Sequence, residues 1–168
     1  MEVLLILIAT VIIVFVIHQS SSATKLKKAR ALMAKGDFYE AQEILETIFS
    51  KQPDAPSELA KCKLKIGLNL LQRNVNQALS EFQQILELDK RLPPSSNKEQ
   101  FNKVKAIASL HVCKLKYDKV NELKSIRERI SHLEESLKYI DNATKIGVEK
   151  EYSALRVNHL QKLSEQYF

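Results

Sequence analysis

Glycine and proline are scarce in this chain, with 3 Gly and 4 Pro among 168 residues. Few positions can therefore adopt positive φ or stop a helix, and the abundant Lys, Glu, Leu, Ile and Gln all tolerate helix well. The expectation is an all-α fold. Cysteine is rarer still: Cys62 and Cys113 sit in separate apolar helical patterns, which suits two buried free thiols better than a disulfide or a metal pair. Missing altogether are a glycine-rich phosphate loop, a paired-cysteine metal motif, a His-Glu-x-x-His helix and a nucleophile elbow. These absences argue against an enzyme and against a bound metal or cofactor. His18, His111, His132 and His159 are scattered one to a segment, and His111 cannot share a helix face with Cys113 two residues on. Each histidine reads as structural or exposed. With aromatics at 7% there is no base-stacking platform, so the lysines at 61, 63, 65, 103, 105, 114 and 116 read as solvated helix faces and nucleic-acid binding is disfavoured.

Charge is absent from one long stretch. Residues 3–17, VLLILIATVIIVFVI, are apolar but for Thr10, and no domain of this size needs an apolar run on every face of a helix. Residues 1–18 are expected to form a membrane anchor, although the apolar run rises only about 22 Å as a helix and needs its polar flank, or a thinned bilayer, to span. Ser21-Ser22-Ala23 resembles a signal-cleavage site, which keeps open an exported, soluble assembly factor released after Ala23. A signal peptide wants a positive start, however, and Glu2 is the only charged side chain before Lys25. The basic flank Lys25, Lys27, Lys28 and Arg30 lies on the other side of the span. That asymmetry places the N-terminus outside and the remainder of the chain at the cytoplasmic side of a plasma (inner) membrane. Residues 19–24 form a polar connector too short to give the domain at 25–168 much reach. Lys and Arg total 26 against 20 Asp and Glu, and the resulting net charge of +6 favours anionic neighbours without choosing among them.

Beyond the connector, apolar residues recur at three and four. Leu26, Ala29, Leu32 and Met33 form one stripe, which Gly36 closes. After the turn GDFYEAQ at 36–42, Phe38, Ala41, Ile44, Leu45 and Ile48 form a second, ending at Pro53. A third helix starts near Ser57 and runs to about Gln72, and a fourth covers about Val75 to Asp89. The break LPPSSN at 92–97 precedes a fifth helix with Phe101, Val104, Ile107, Ala108 and Val112. From Val120 the spacing of Leu123, Ile126, Ile130, Leu133, Leu137 and Ile140 predicts one long helix, and a last segment with Val148, Tyr152, Leu155, Leu160 and Leu163 folds back on it as a cap. The seam at 120–140 could also serve self-association. Asn142-Ala143-Thr144 matches a glycosylation acceptor that a cytoplasmic placement makes irrelevant.

These residues resemble the tetratricopeptide repeat family, antiparallel helix pairs of 34 residues with small residues at packing points and a terminating proline. Ala29, Leu32, Gly36-Asp37-Phe38, Glu40-Ala41, Leu45 and Pro53 match the first unit, while Lys25 and Lys28 depart from it. Ala78 aligned on Ala41 gives a second unit, and Val120 gives a third in which Lys124 and Arg127 stand at apolar positions. The resemblance implies a right-handed solenoid with units at about 22–54, 57–91 and 97–126, capped by helices within 120–168. It further implies a groove built from the first helix of each unit, holding an extended peptide or partner helix. Carried onto this sequence, that groove comprises Leu26, Arg30 and Met33, then Lys63, Gly67 and Leu70, then Lys105, Ser109 and Val112. Its cations suit a partner with acidic and hydrophobic residues, and Leu26 and Leu64 disfavour capture of a chaperone's terminal carboxylate. The combined expectation is a membrane-anchored scaffold, a small subunit or assembly factor of a larger complex.

Overall fold

The structure, a computed structural model, describes residues 21–144 and 149–167. Every regular element among them is helical, so the fold is all-α. Helix α1 covers residues 21–35, followed by α2 (Phe38–Thr47), α3 (Ala55–Leu70), α4 (Val75–Leu88), α5 (Lys98–Lys119), α6 (Ile126–Thr144) and α7 (Glu149–Tyr167). The apolar run at 3–17 and the first two residues of the expected connector, 19 and 20, lie outside the described residues. Among those described, no helix is long and apolar enough to cross a membrane. Ser21 to Thr24, expected in the connector, are already helical, and Ser22 is buried.

Local chemistry accounts for the helix ends. At Gly36 (φ 93°) the Gly36 N–H reaches Met33 O at 3.2 Å and the Asp37 N–H reaches Leu32 O at 3.0 Å, the paired bonds of a Schellman stop. Only glycine takes that φ without strain. Pro56 fits the first turn of α3, where its missing N–H leaves no bond unmade, so α3 begins two residues before Ser57. Asn74 and Asn97 cap α4 and α5, their side-chain oxygens accepting from Gln77 N at 3.1 Å and Gln100 N at 3.3 Å.

From α2 onward each helix packs on its successor, and α3 also packs on α5. Paired side chains fix the directions. Lys105 meets Asp89, His111 stacks on Phe82 and Lys119 meets Asn76, so α5 runs antiparallel to α4. Likewise Gly67 lies under Phe82 and Lys63 meets Gln84, so α4 runs antiparallel to α3. Helices α3 and α5 are therefore side by side and parallel. The core between the layers is built by Leu45, Ile48, Leu59, Ile66, Phe82, Ile85, Phe101 and Val112, all essentially inaccessible. Full burial of side chains this large stabilises by roughly 1.5–3 kcal/mol each.

The continuous helix expected from Val120 to Ile140 is not formed. Helix α5 runs on to Lys119, Val120–Glu122 make a 3-10 turn, and Leu123 is extended (ψ 133°) before α6 begins. Val120 buries completely at that turn, and Arg129 Nε donates to Leu123 O at 2.8 Å, which holds the break. Consequently α6 pairs with α5 as the second helix of a third hairpin, where a cap was expected. Part of its apolar seam is used there too: Ile140 and Leu137 pack against Ala106 and Cys113 of α5, while Ile126 is 58% exposed. Helix α7 packs on α6 and reaches α5 at Cys113 and Tyr117. The tripeptide Asn142-Ala143-Thr144 forms the end of α6.

Candidate protein-docking face

Polar side chains cross the outer side of the α1, α3 and α5 layer as one chain of contacts. Arg30 of α1 places Nη2 3.1 Å from Asp54 Oδ2, and donates to Glu58 Oε1 from Nε at 3.2 Å and Nη2 at 3.1 Å. Lys61 Nζ reaches the same Glu58 oxygen and Gln100 Oε1 of α5, each at 3.2 Å. Asn97 completes the corner, donating from its backbone to Pro53 O at 3.0 Å and from Nδ2 to Asp54 Oδ1 at 3.4 Å. Glu58 is only 8% exposed, so its two cations neutralise a carboxylate that burial alone would disfavour. This lattice sets α1, α3 and α5 shoulder to shoulder and defines which stripe of each helix faces outward.

The residues assigned to a groove by repeat register do not share that stripe. Arg30 stands on the open face. Leu26 is in the core, and Met33 and Leu70 are half-buried against it. Lys63 is 4% exposed and turns toward α4, with Nζ 2.7 Å from Gln84 Oε1, 3.5 Å from Glu81 and 4.0 Å from Glu46. There it lines a cleft of about 190 Å³ whose other walls include Phe49, Leu88 and Arg91, the guanidinium lying 5.5 Å above the Phe49 ring. A Cβ on Gly67 would strike Phe82. Lys105 pairs with Asp89 at 2.6 Å, Ser109 is buried on its own helix's Lys105 O, and Val112 is fully buried. A partner could reach Gly67 or Val112 only by parting α3 or α5 from α4. The cations expected to flank a membrane, Lys25, Lys27, Lys28 and Arg30, are all exposed on α1; Lys28 faces Glu40 at 3.6 Å and Arg30 joins the network above.

On α3 and α5 the outward stripes lie two residues away from the expected ones. They contain the half-exposed Lys61 and the exposed Lys65 on α3, and the exposed Lys103, Ile107 and Lys114 on α5, while α1 adds Lys27. Two residues rotate a helix by about 200°, which turns a stripe to nearly the opposite side. The origin of the shift is the connection between helices. Residues 36–37 join α1 to α2, whereas residues 71–74 join α3 to α4. Counting back from Ala78 by the spacing of the first hairpin therefore lands two residues late on α3. Four of these cations were legible as lysines on helices; what marks them out is that they share a side.

Titratable groups away from this face are shaped by burial. Desolvation pushes the Cys62 thiol up to about 11 and the Cys113 thiol up to about 12, with Lys63 and Lys116 opposing. Cys62 donates to Phe38 O at 2.9 Å, and Cys113 Sγ lies 3.3 Å from His159 Nε2. Burial lowers the pKa of His111 and of His132, helped by the nearby Lys114 and Lys116 respectively. Lys116, 2.5 Å from Glu135, holds that carboxyl below its ordinary value. Among the described residues no group of three His, Cys, Asp or Glu side chains is placed to hold a metal ion. Cys113 and His159 make a buried pair of donors that spacing could not foretell, since 46 residues separate them.

Compared with known proteins, the chain matches no family model, no curated protein and no solved structure.

Proposed function

We propose that this chain is a non-enzymatic scaffold, anchored by residues 3–17 in the plasma (inner) membrane, whose helical domain holds a protein partner at the cytoplasmic face. In this reading the domain is tetratricopeptide-like, with α1/α2, α3/α4 and α5/α6 as successive hairpins. The observation that carries it is the layer of α1, α3 and α5, set side by side by the Arg30, Glu58, Lys61 and Gln100 contacts, with an outward stripe exposed on each helix. Such a layer offers a broad surface to a partner. The basic flank supports the topology. Retention of the anchor is supported by residues 21–23 being helical: cleavage after Ala23 would remove the first residues of α1.

Protease added to sealed vesicles with the cytoplasmic face outward should digest the helical domain, and complete protection of it would refute the topology. Crosslinking in intact membranes, followed by purification in mild detergent, should recover one protein at near-stoichiometric yield. Recovery of the chain alone would refute the scaffold reading.

A further inference from the structure

Charge in this fold is sorted by layer. Over its described residues α1 carries five cations and no acid, α3 three and one, and α5 six and two. Across the core, α2 carries three glutamates and α4 two, and neither has a cation. The net positive charge of the chain is thus concentrated in one layer. Within that layer the buried or interior cations are neutralised: Lys63 by Glu81, Lys105 by Asp89 and Lys116 by Glu135. On the outer stripe the position differs. Lys27, Lys65 and Lys114 are exposed, and no acidic group among the described residues lies within ion-pair reach of them. Lys103 pairs with Glu99 one turn away, both exposed, an interaction weak enough to yield to a better partner. Ile107, 41% exposed, stands between Lys103 and Lys114 on the same stripe of α5.

We infer that this outer stripe docks an acidic, amphipathic segment of another protein. Carboxylates of the segment lie between Lys65 of α3 and Lys103 and Lys114 of α5, and an apolar side chain rests on Ile107. The inference depends on the scaffold reading above and names the partner's chemistry and the residues that meet it. Charge complementarity selects the occupant: carboxylates gain most beside exposed cations that lack a resident partner, as Lys65 and Lys114 do, and Lys103 is held only by the exposed Glu99. Nucleic acid is disfavoured because no exposed residue of α1, α3 or α5 among those described is aromatic. A lipid surface is disfavoured because Asp54, Glu58 and Glu99 belong to the same side, where a uniformly anionic plane would meet them as well. A peptide can set polar or basic side chains against those three positions.

The test uses the full chain reconstituted in nanodiscs of zwitterionic lipid and a fluorescein-labelled peptide of repeated Glu-Glu-Leu, read by anisotropy. Lys65→Glu, Lys103→Glu and Lys114→Glu together should weaken binding by about tenfold or more. The same charge change at Lys51, Lys124 and Lys138, exposed positions off this layer, should leave it within about twofold. A Gln-Gln-Leu peptide should bind weakly to all. Circular dichroism checks that each variant is folded. Equal loss in both triple variants overturns the inference, because net charge alone would then explain binding. So does a uridine homopolymer, or a phosphatidylserine vesicle, that binds as tightly as the peptide and depends on the same lysines. Concentration-dependent self-association that the face variant abolishes overturns it too, by making a second copy the occupant. A partner crosslinked in membranes whose capture survives the face variant refutes this inference while leaving the scaffold reading intact. Absence of any crosslinked partner refutes the scaffold reading, and the inference with it.

Discussion

Gly67→Ala should destabilise the protein, against the ordinary preference of helices for alanine. Gly67 lies within α3, and an ideal Cβ there falls 2.4 Å from Phe82 Cε1 and 2.9 Å from Cδ1 and Cζ. Relaxed carbon–carbon contacts are about 3.5–4.0 Å, so the ring must retreat by roughly 1 Å. Its movement is restricted: Phe82 is fully buried, and its ring stacks on His111 with centroids 4.8 Å apart and planes 18° from parallel. Overpacking of this kind costs about 1–3 kcal/mol, and the blocked ring argues for the upper part of that range. Alanine's helical advantage over glycine offsets about 1 kcal/mol. The expected net loss is about 1–2 kcal/mol, read as a lower urea midpoint at unchanged m-value, or as a fall of roughly 2–4 °C in Tm for each kcal/mol. Phe82→Leu provides the decisive comparison. Alone it is also destabilising, but it withdraws the ring, so the double variant should lose clearly less than the sum of the singles. A Gly67→Ala protein as stable as the parent, or strict additivity with Phe82→Leu, would refute the close-approach argument.

Other groups give sharper chemical readouts. Lys63→Ala removes the cation that faces Glu81 and Gln84 in a nearly closed site, and should cost about 3 kcal/mol by denaturant titration; Lys63→Met with Glu81→Gln should recover much of it. Cys62 and Cys113 should resist iodoacetamide at pH 8 in the native chain and react fully in urea. The unfolded thiols ionise near 9 while the folded ones remain protonated to about 11 and about 12. Stability should therefore fall as pH rises past 9, less steeply in Cys62→Ala, and an unchanged slope in that variant would contradict the buried neutral thiol. His111 has the opposite dependence. Its folded pKa lies below 6.5, so the unfolded state takes up the proton first and stability is lost as pH falls through 6.5, an effect that His111→Gln should reduce.

Helix positions were largely legible because the apolar spacing and the stop residues agree. Gly36 was readable as a turn, and the two bonds to Leu32 and Met33 show why no other residue serves as well. Val75 and the Pro53-to-Pro56 stretch fell close to the observed helix ends. Failure came where periodicity persists across a break. The apolar series from Val120 to Ile140 keeps a helical spacing, yet tertiary packing draws Val120 inward and extends the chain at Leu123. Spacing reports which residues can share a face, and it is silent on whether the backbone between them is continuous. The Phe82–His111 stack and the Cys113–His159 pair were invisible for a related reason: they join different helices, and their geometry depends on packing.

The cationic face shows how small a change in a loop relocates a surface. Repeat register pointed to α1, α3 and α5, the helices that share the cationic layer, and on α1 to Arg30, which is exposed. On α3 and α5 it selected residues that turn toward α4, such as Lys63 and Lys105. The connection at 71–74 is two residues longer than that at 36–37, and this is enough to exchange the outward side of α3 for the inward one. Charge counted helix by helix does not depend on register, which is why it survives the error. A layer with many cations and few acids must expose some of those cations unpaired, because interior positions can hold only those with a carboxylate alongside. The observed sorting follows that rule: Lys63, Lys105 and Lys116 turn inward with Glu81, Asp89 and Glu135, while Lys27, Lys65 and Lys114 are left facing outward. Substituting an inward lysine should thus be read as a loss of stability, and substituting an outward one as a loss of binding; a protein in which Lys65→Glu unfolds the domain would contradict this division.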